Sequence, residues 1–199
     1  MSSHAFRLQP TSPREYLDAE RRNPEQKHEF IAGQIYAMSG GSLSHNRISR
    51  NVLVALEQRL ADHGCEALGS DQQIEVHAAT GPNYVYPDVS VVCGGPPEMS
   101  DEHPDAIRNP TILVEVLSPS TQGHDYVRKL PLYRQIQSVQ LILFIQQGEP
   151  HVEALRRQPG GDFDLEIIRG LDQALTLSPL PETLPLRDLY RGVDSPSFP

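Results

Sequence analysis

From Thr111 to Leu117 the chain reads Thr-Ile-Leu-Val-Glu-Val-Leu, a run of branched aliphatic residues broken by a single acid. Such a run reads as a short strand covered on both faces, which places it at the centre of a sheet. Pro87-Asp88 lies 27 positions before Glu115, inside a second strand-like run from Tyr84 to Cys93. An unpaired charge is expensive to bury, and two acids on neighbouring strands can share one cation. Mg2+ suits such a pair, because it prefers oxygen ligands, retains several waters and often takes only one or two carboxylates from the protein. Asp88 and Glu115 are therefore the first candidates for a divalent-metal site.

Helical and strand-like segments alternate around this pair. Ser12-Pro13-Arg14-Glu15 is a capping box with proline in the first turn, which predicts a helix over about Pro13 to Arg22, ended by Asn23-Pro24. His28 to Met38 reads as a hairpin turning at Ala32-Gly33. Ser44 to His63 is the clearest helix: Ile48, Val52, Leu56 and Leu60 form one apolar stripe, His45 falls roughly in line with it, and Arg47 and Arg50 lie opposite as a solvated face. Glu66 to His77 and Tyr84 to Cys93 each predict a strand, and Gly94 to Asn109 a polar loop. A short helix is expected near His124 to Gln135, then strands at Val139–Gln146, His151–Arg157 and Phe163–Ile168, and a proline-rich tail whose last residues are disordered. This order predicts an α/β or α+β fold, with a mixed central sheet flanked by helices and additional antiparallel strands. At 199 residues the chain is the size of one domain, read here as 1–199 with a core over about 12–190.

Composition narrows the function classes. A net charge of −9 argues against a protein that coats nucleic acid without specificity. No window approaches the ~18 apolar residues of a membrane span. Met1 to Pro10 lacks a basic region followed by an apolar stretch, so no secretory signal is expected. Cys65 and Cys93, without a C-x-x-C spacing, suggest neither a zinc site nor a disulfide framework, and a reducing cytoplasm is the simplest compartment. Only two of the 17 basic residues, Lys27 and Lys129, are lysines, which draws attention to each. There is no P-loop, dinucleotide glycine pattern or G-x-S-x-G elbow.

Proline before an acid, a second acid in the next strand and a lysine nearby resemble the PD-(D/E)XK nuclease signature. The usual lysine position holds Leu117. The longer pattern resembles one branch of that superfamily, the Uma-type restriction endonucleases, in which the lysine has moved to the following helix. The resemblance runs through Glu29, Gly33, His45, Pro87-Asp88, Pro110, the Glu115-to-Thr121 run, Asp125, Lys129 and Tyr133. It covers about Ser12 to Ile168. Two departures stand out: Gln146 occupies the place of an acid found in many relatives, and Pro131 interrupts the lysine helix.

The resemblance implies a restriction-endonuclease-like fold and Mg2+-dependent hydrolysis of phosphodiester bonds, with Mn2+ as a substitute and DNA as the expected substrate. Asp88, Glu115 and the backbone carbonyl of Val116 would hold the metal. Lys129 would neutralise charge on phosphorus and orient water. Glu29 would complete the metal shell, and His45 would hold Glu29 or contact the phosphate. Arg128 and Arg134 are the expected nucleic-acid contacts. Asp125 reads as an acid at a helix N-terminus, Tyr133 as packing, and Ser118–Thr121 as a turn at the site entrance. A homodimer is expected, because two sites cut two strands most simply. The competing readings are a catalytically weakened relative that binds nucleic acid or protein, and a metallo-hydrolase of small phosphoesters.

Overall fold

The computed structural model describes residues 12–23 and 25–193. The expectations for Met1–Pro10 and for the chain's final residues lie outside them. Helix α1 (Pro13–Arg22) has the capping box in place: the Ser12 hydroxyl accepts from the Glu15 N–H, and the Glu15 carboxylate accepts from the Ser12 N–H. Strands β1 (His28–Ile31) and β2 (Gln34–Ala37) turn at Ala32 (φ 50°) and Gly33 (φ 78°). Positive φ at both central residues marks the tight turn that suits a two-residue hairpin, and glycine adopts it without cost. Helix α2 (Leu43–Leu60) buries the Ile48, Val52, Leu56 and Leu60 stripe.

The two long strands expected after α2 each split in two. The first becomes β3 (Cys65–Gly69) and β4 (Gln73–Ala78), the second β5 (Gly81–Val85) and β6 (Val89–Cys93). β3 and β6 join a six-stranded sheet; β4 and β5 join a five-stranded one. β4, β5 and β6 are largely buried while β3 is only half-buried, and the apolar patterning runs from β5 into β6 without a break. The second crossing falls at Tyr86-Pro87-Asp88. Proline has no N–H to offer a ladder, and the chain changes sheets there.

Strand β7 (Ala106–Ile107) completes the five-stranded sheet, ordered β2-β1-β5-β4-β7. The larger sheet adds β8 (Ile112–Leu117), β9 (Leu141–Gln146), β10 (His151–Arg157) and β11 (Phe163–Arg169), ordered β11-β10-β9-β8-β6-β3. It is mixed: β8 runs parallel to β9 and antiparallel to β6. β8 is fully buried, as its composition required. Ile112, Val114 and Val116 pack in the cluster with the α2 stripe. Leu113 and Leu117 pack on the other face, in the cluster holding Leu132 and Tyr133. Strand alternation puts Glu115 on that second face. Toward the end of the described residues come a small hairpin, β12 (Ala174–Thr176) and β13 (Thr183–Pro185), and a short helix (Leu186–Leu189). Among the described residues no helix is long and apolar enough to cross a membrane.

Buried Asn51 ties α2 to the C-terminal segment by donating to the carbonyls of Leu189 and Arg191, each at 2.9 Å. Asn51→Ala strands those two carbonyls, and urea unfolding is expected to show a loss of about 1–3 kcal/mol.

The cysteine reading is corrected. Cys65 and Cys93 face one another in the β3–β6 register, with Cα atoms 4.1 Å apart, and form a disulfide. Their separation of 28 residues concealed a cross-strand pair. Cysteine usage therefore no longer argues for a reducing compartment.

Candidate active site

The last β6–β8 pair is Val89 with Val114. Extending that register by one residue sets Asp88 level with Glu115. The Asp88 carboxylate takes the place of a ladder partner, accepting a 2.7 Å hydrogen bond from the Val116 N–H through Oδ2. The N–H and C=O of one strand residue face the same edge, so the Val116 carbonyl lies on the Asp88 side. His45 Nε2 stands 3.3 Å from the same Oδ2. Its Nδ1 is buried without a partner among the described residues, so the ring's one polar contact there is Nε2 with Asp88. Burial works against a charged His45, but Asp88 outweighs it and raises the pKa. His45 therefore holds Asp88, not Glu29 as one expectation had it.

Lys129 is the hub. Its Nζ lies 2.6 Å from Glu115 Oε1 and 3.2 Å from Glu29 Oε1, donates to the Tyr86 carbonyl at 2.9 Å, and sits 3.7 Å from Asp125. Glu29, Glu115, Asp125 and Lys129 are all buried. Glu29 is clamped further by the Tyr86 N–H at 2.9 Å and by His124 Nε2 at 2.6 Å. Glu115 also accepts from the Tyr133 hydroxyl at 2.5 Å. Tyr86, just before Pro87 and held extended by it, thus clamps an acid and the lysine with its two backbone groups.

The electrostatics separate the acids. Burial opposes the charged form of Glu29, yet Lys129 and His124 carry its pKa down to about 2. Burial pushes Glu115 well above the carboxylate range against the pull of Lys129, with Asp125 and Asp88 adding to the rise. Burial likewise raises Asp125. Lys129 is raised well above its ordinary value, since Glu115 and Glu29 together overcome its desolvation.

Pro131 explains how the lysine helix is shaped. The segment is α3 (Gln122–His124), a π-helical turn (Asp125–Lys129) and α4 (Leu130–Tyr133), with the Leu130 N–H reaching back to the Asp125 carbonyl. A proline ring clashes with the carbonyl four residues earlier in a regular α-helix. One wider turn just before it relieves that clash. The turn also carries Asp125 and Lys129 into the interior.

Sequence reasoning thus named Asp88, Glu115, Lys129, Glu29 and His45, and the fold brings all five together. It missed the part played by His124. It read Tyr133 as packing, although its position one turn after Lys129 was the available signal, and Asp125 as an acid serving the helix dipole, whereas it is buried beside Lys129. The Arg128 guanidinium lies 5.0 Å over the Tyr36 ring and Arg134 lies 5.6 Å over Phe163. Among the described residues Arg134 shows no contact with the acids. Gln146 ends β9 opposite Leu117, and its carbonyl accepts from Tyr190.

No group of three or more His, Cys, Asp or Glu among the described residues is preassembled for a metal, because the Lys129 ammonium stands between Glu29 and Glu115. The donor set nevertheless fits Mg2+. Asp88 Oδ1 and Glu115 Oε2 carry no hydrogen bond among the described residues, and two carboxylates with a carbonyl leave coordination positions for water.

A protein of Synechocystis sp. described as uncharacterized is 34% identical over 182 residues, covering 92% of both chains. A second uncharacterized Synechocystis protein is 37% identical over 133 residues, which is 67% of this chain and 73% of that protein. A crystal structure from Anabaena variabilis, described as a putative nuclease of DUF820, superposes with a TM-score of 0.67 at 18% identity, covering 87% of this chain and 96% of its own. The expected restriction-endonuclease-like fold is thereby met. Residues 13–187 match the family Uma2, described as putative restriction endonuclease, and the chain belongs to that family.

Proposed function

We propose that this chain is a Mg2+-dependent endonuclease that hydrolyses phosphodiester bonds in DNA. The observation that carries the reading is the buried Lys129 ammonium held between Glu29 and Glu115, beside an Asp88 already bonded to the Val116 N–H. A purely structural ion pair would not need a third acid at a strand junction with an oxygen to spare.

Asp88, Glu115 and the Val116 carbonyl would hold the cation. When bound, a divalent cation supplies Lewis-acid charge at a phosphoryl oxygen and acidifies water. The chain's own residues do the rest. His45 fixes the Asp88 carboxylate. Lys129 presents a fixed positive charge to the reacting phosphate. Glu29, with His124 and the Tyr86 N–H, keeps Lys129 charged and in place. Arg128 at the rim is the proposed phosphate contact of the flanking strand, with Arg134 farther along. A homodimer would set two such sites on a duplex.

The test is a cleavage assay on supercoiled and linear DNA. Activity is expected with Mg2+ or Mn2+ and complete loss with EDTA. Calorimetry with Mn2+, run with a short duplex present, should show binding in the wild type that folded Asp88→Ala loses. Cleavage that persists in EDTA, or Mn2+ binding that survives Asp88→Ala, would refute the assignment.

A further inference from the structure

A cavity of about 560 Å3 opens on Asp88 between the outer face of α2 and the turn joining β3 to β4. Its walls include Asn46, Ser49 and Arg50 from the helix and Gln72 from the turn, with Leu53 and Leu68 supplying apolar surface. We propose that this cavity is a nucleotide subsite, which takes the nucleotide next to the scissile phosphate. The inference rests on the nuclease reading and extends it to a place in the substrate.

Three observations support a nucleotide. The first is position: Asp88 is part of the cavity wall, so a phosphodiester placed against Asp88 has a neighbouring nucleotide within reach of the opening. The second is charge. Arg50 donates to Asn51 Oδ1 at 2.9 Å, and the Asn51 amide is itself fixed by the two C-terminal carbonyls. Arg50, a residue of the wall, is thereby anchored at one guanidinium nitrogen, and its other N–H groups are left for a phosphate. Of the two acids in the wall, Asp71 is compensated by Lys27 at 2.5 Å, and Asp88 is bonded by the Val116 N–H and faced by His45, so neither is left bare beside Arg50. The third is the division of polar and apolar surface. The Gln72 amide nitrogen is committed to the carbonyls of Gln73 and Asp105, and that of Asn46 to the Gly41 carbonyl. Each side chain keeps its carbonyl oxygen as an acceptor, which suits the exocyclic amine of a base. The leucines cover the face of the ring. A cavity of this size, mostly apolar with a few fixed polar groups, is the usual form of a small-molecule site.

The probe is deoxyadenosine 5′-monophosphate, titrated into the metal-free protein while the methyl signals of Leu53 and Leu68 are followed by NMR. Saturable shifts of both are expected. Arg50→Ala should weaken binding about tenfold, the loss of one charge-assisted contact, and Ser49→Phe, which fills the cavity, should abolish it. Arg50 is exposed, so its variant keeps the fold even if the larger substitution does not. Inorganic phosphate at equal concentration should not move the leucine methyls; if it reproduces the shifts, the nucleotide assignment is overturned. Absence of shifts, together with DNA cleavage whose KM is the same in Arg50→Ala, overturns the subsite and leaves the nuclease reading standing. Saturable nucleotide binding in a protein that cuts no DNA supports the subsite and removes the nuclease reading.

Discussion

Glu115→Gln is expected to lower DNA cleavage by about 10^3-fold or more while leaving the protein as thermally stable as the wild type, or more so. The loss follows from taking away a charged oxygen that would face the cation, an effect of several kcal/mol on the transition state. The gain follows from burial. Glu115 lies in the middle of an apolar strand, and its pKa in the folded protein stands well above the carboxylate range because of that burial. A carboxyl whose folded pKa is raised loses stability for the protein as pH climbs past its unfolded value. Burial alone thus makes Glu115 a burden on the fold at neutral pH; its pairing with Lys129 offsets part of that burden, and Glu29 still holds the lysine charge when Glu115 is neutral. Gln is the same size, stays neutral, and keeps an oxygen to accept from Lys129 and Tyr133, which now stand 2.6 and 2.5 Å from Oε1. Thermal melts of the two metal-free proteins, paired with cleavage rates, decide the matter. A variant that melts well below the wild type would make Glu115 a structural acid and its loss of activity uninformative.

How much of this could be read from the sequence depends on how local each signal is. The capping box, the Ala32-Gly33 turn and the α2 stripe are set by neighbouring residues, and helix, hairpin and second helix fall where the pattern put them. The acid within Ile112–Leu117 announced itself because burial there has no cheap structural reason. What stayed hidden depends on pairing between distant segments. The change of sheet at Tyr86-Pro87-Asp88 is invisible where both sheets bury their strands. The Cys65–Cys93 bond required knowing that β3 pairs with β6. His124 meets Glu29 across 95 residues, and nothing near either one signals the other. Pro131 looked like a defect in the lysine helix; the wide turn it accompanies instead carries Lys129 inward.

The second large effect is expected at that lysine. Lys129→Met should abolish cleavage and also cost about 3–5 kcal/mol of stability, the usual penalty for removing one partner of a buried ion pair. The two acids it serves respond differently. Glu115, with its raised pKa, escapes by holding a proton. Glu29 cannot escape so cheaply: Lys129 is the largest influence pulling its pKa down from 4.5 to about 2 against burial. A lowered carboxyl pKa contributes stability that is present above the unfolded value and is lost as pH falls through the folded value. The stability gap between wild type and Lys129→Met should therefore be full at pH 7 and close as pH drops from about 4.5 toward 2, where Glu29 takes up a proton in the wild type too. For the same reason Glu29→Gln added to Lys129→Met should restore part of the lost stability, and the double-mutant cycle should show coupling well beyond the ~0.5 kcal/mol expected of independent sites. Urea unfolding of the four proteins at pH 7 and pH 3 measures both. A gap that does not change with pH, with additive mutations, would mean that Lys129 is held by packing alone, and the charged cluster on which the proposed chemistry depends would lose its physical basis.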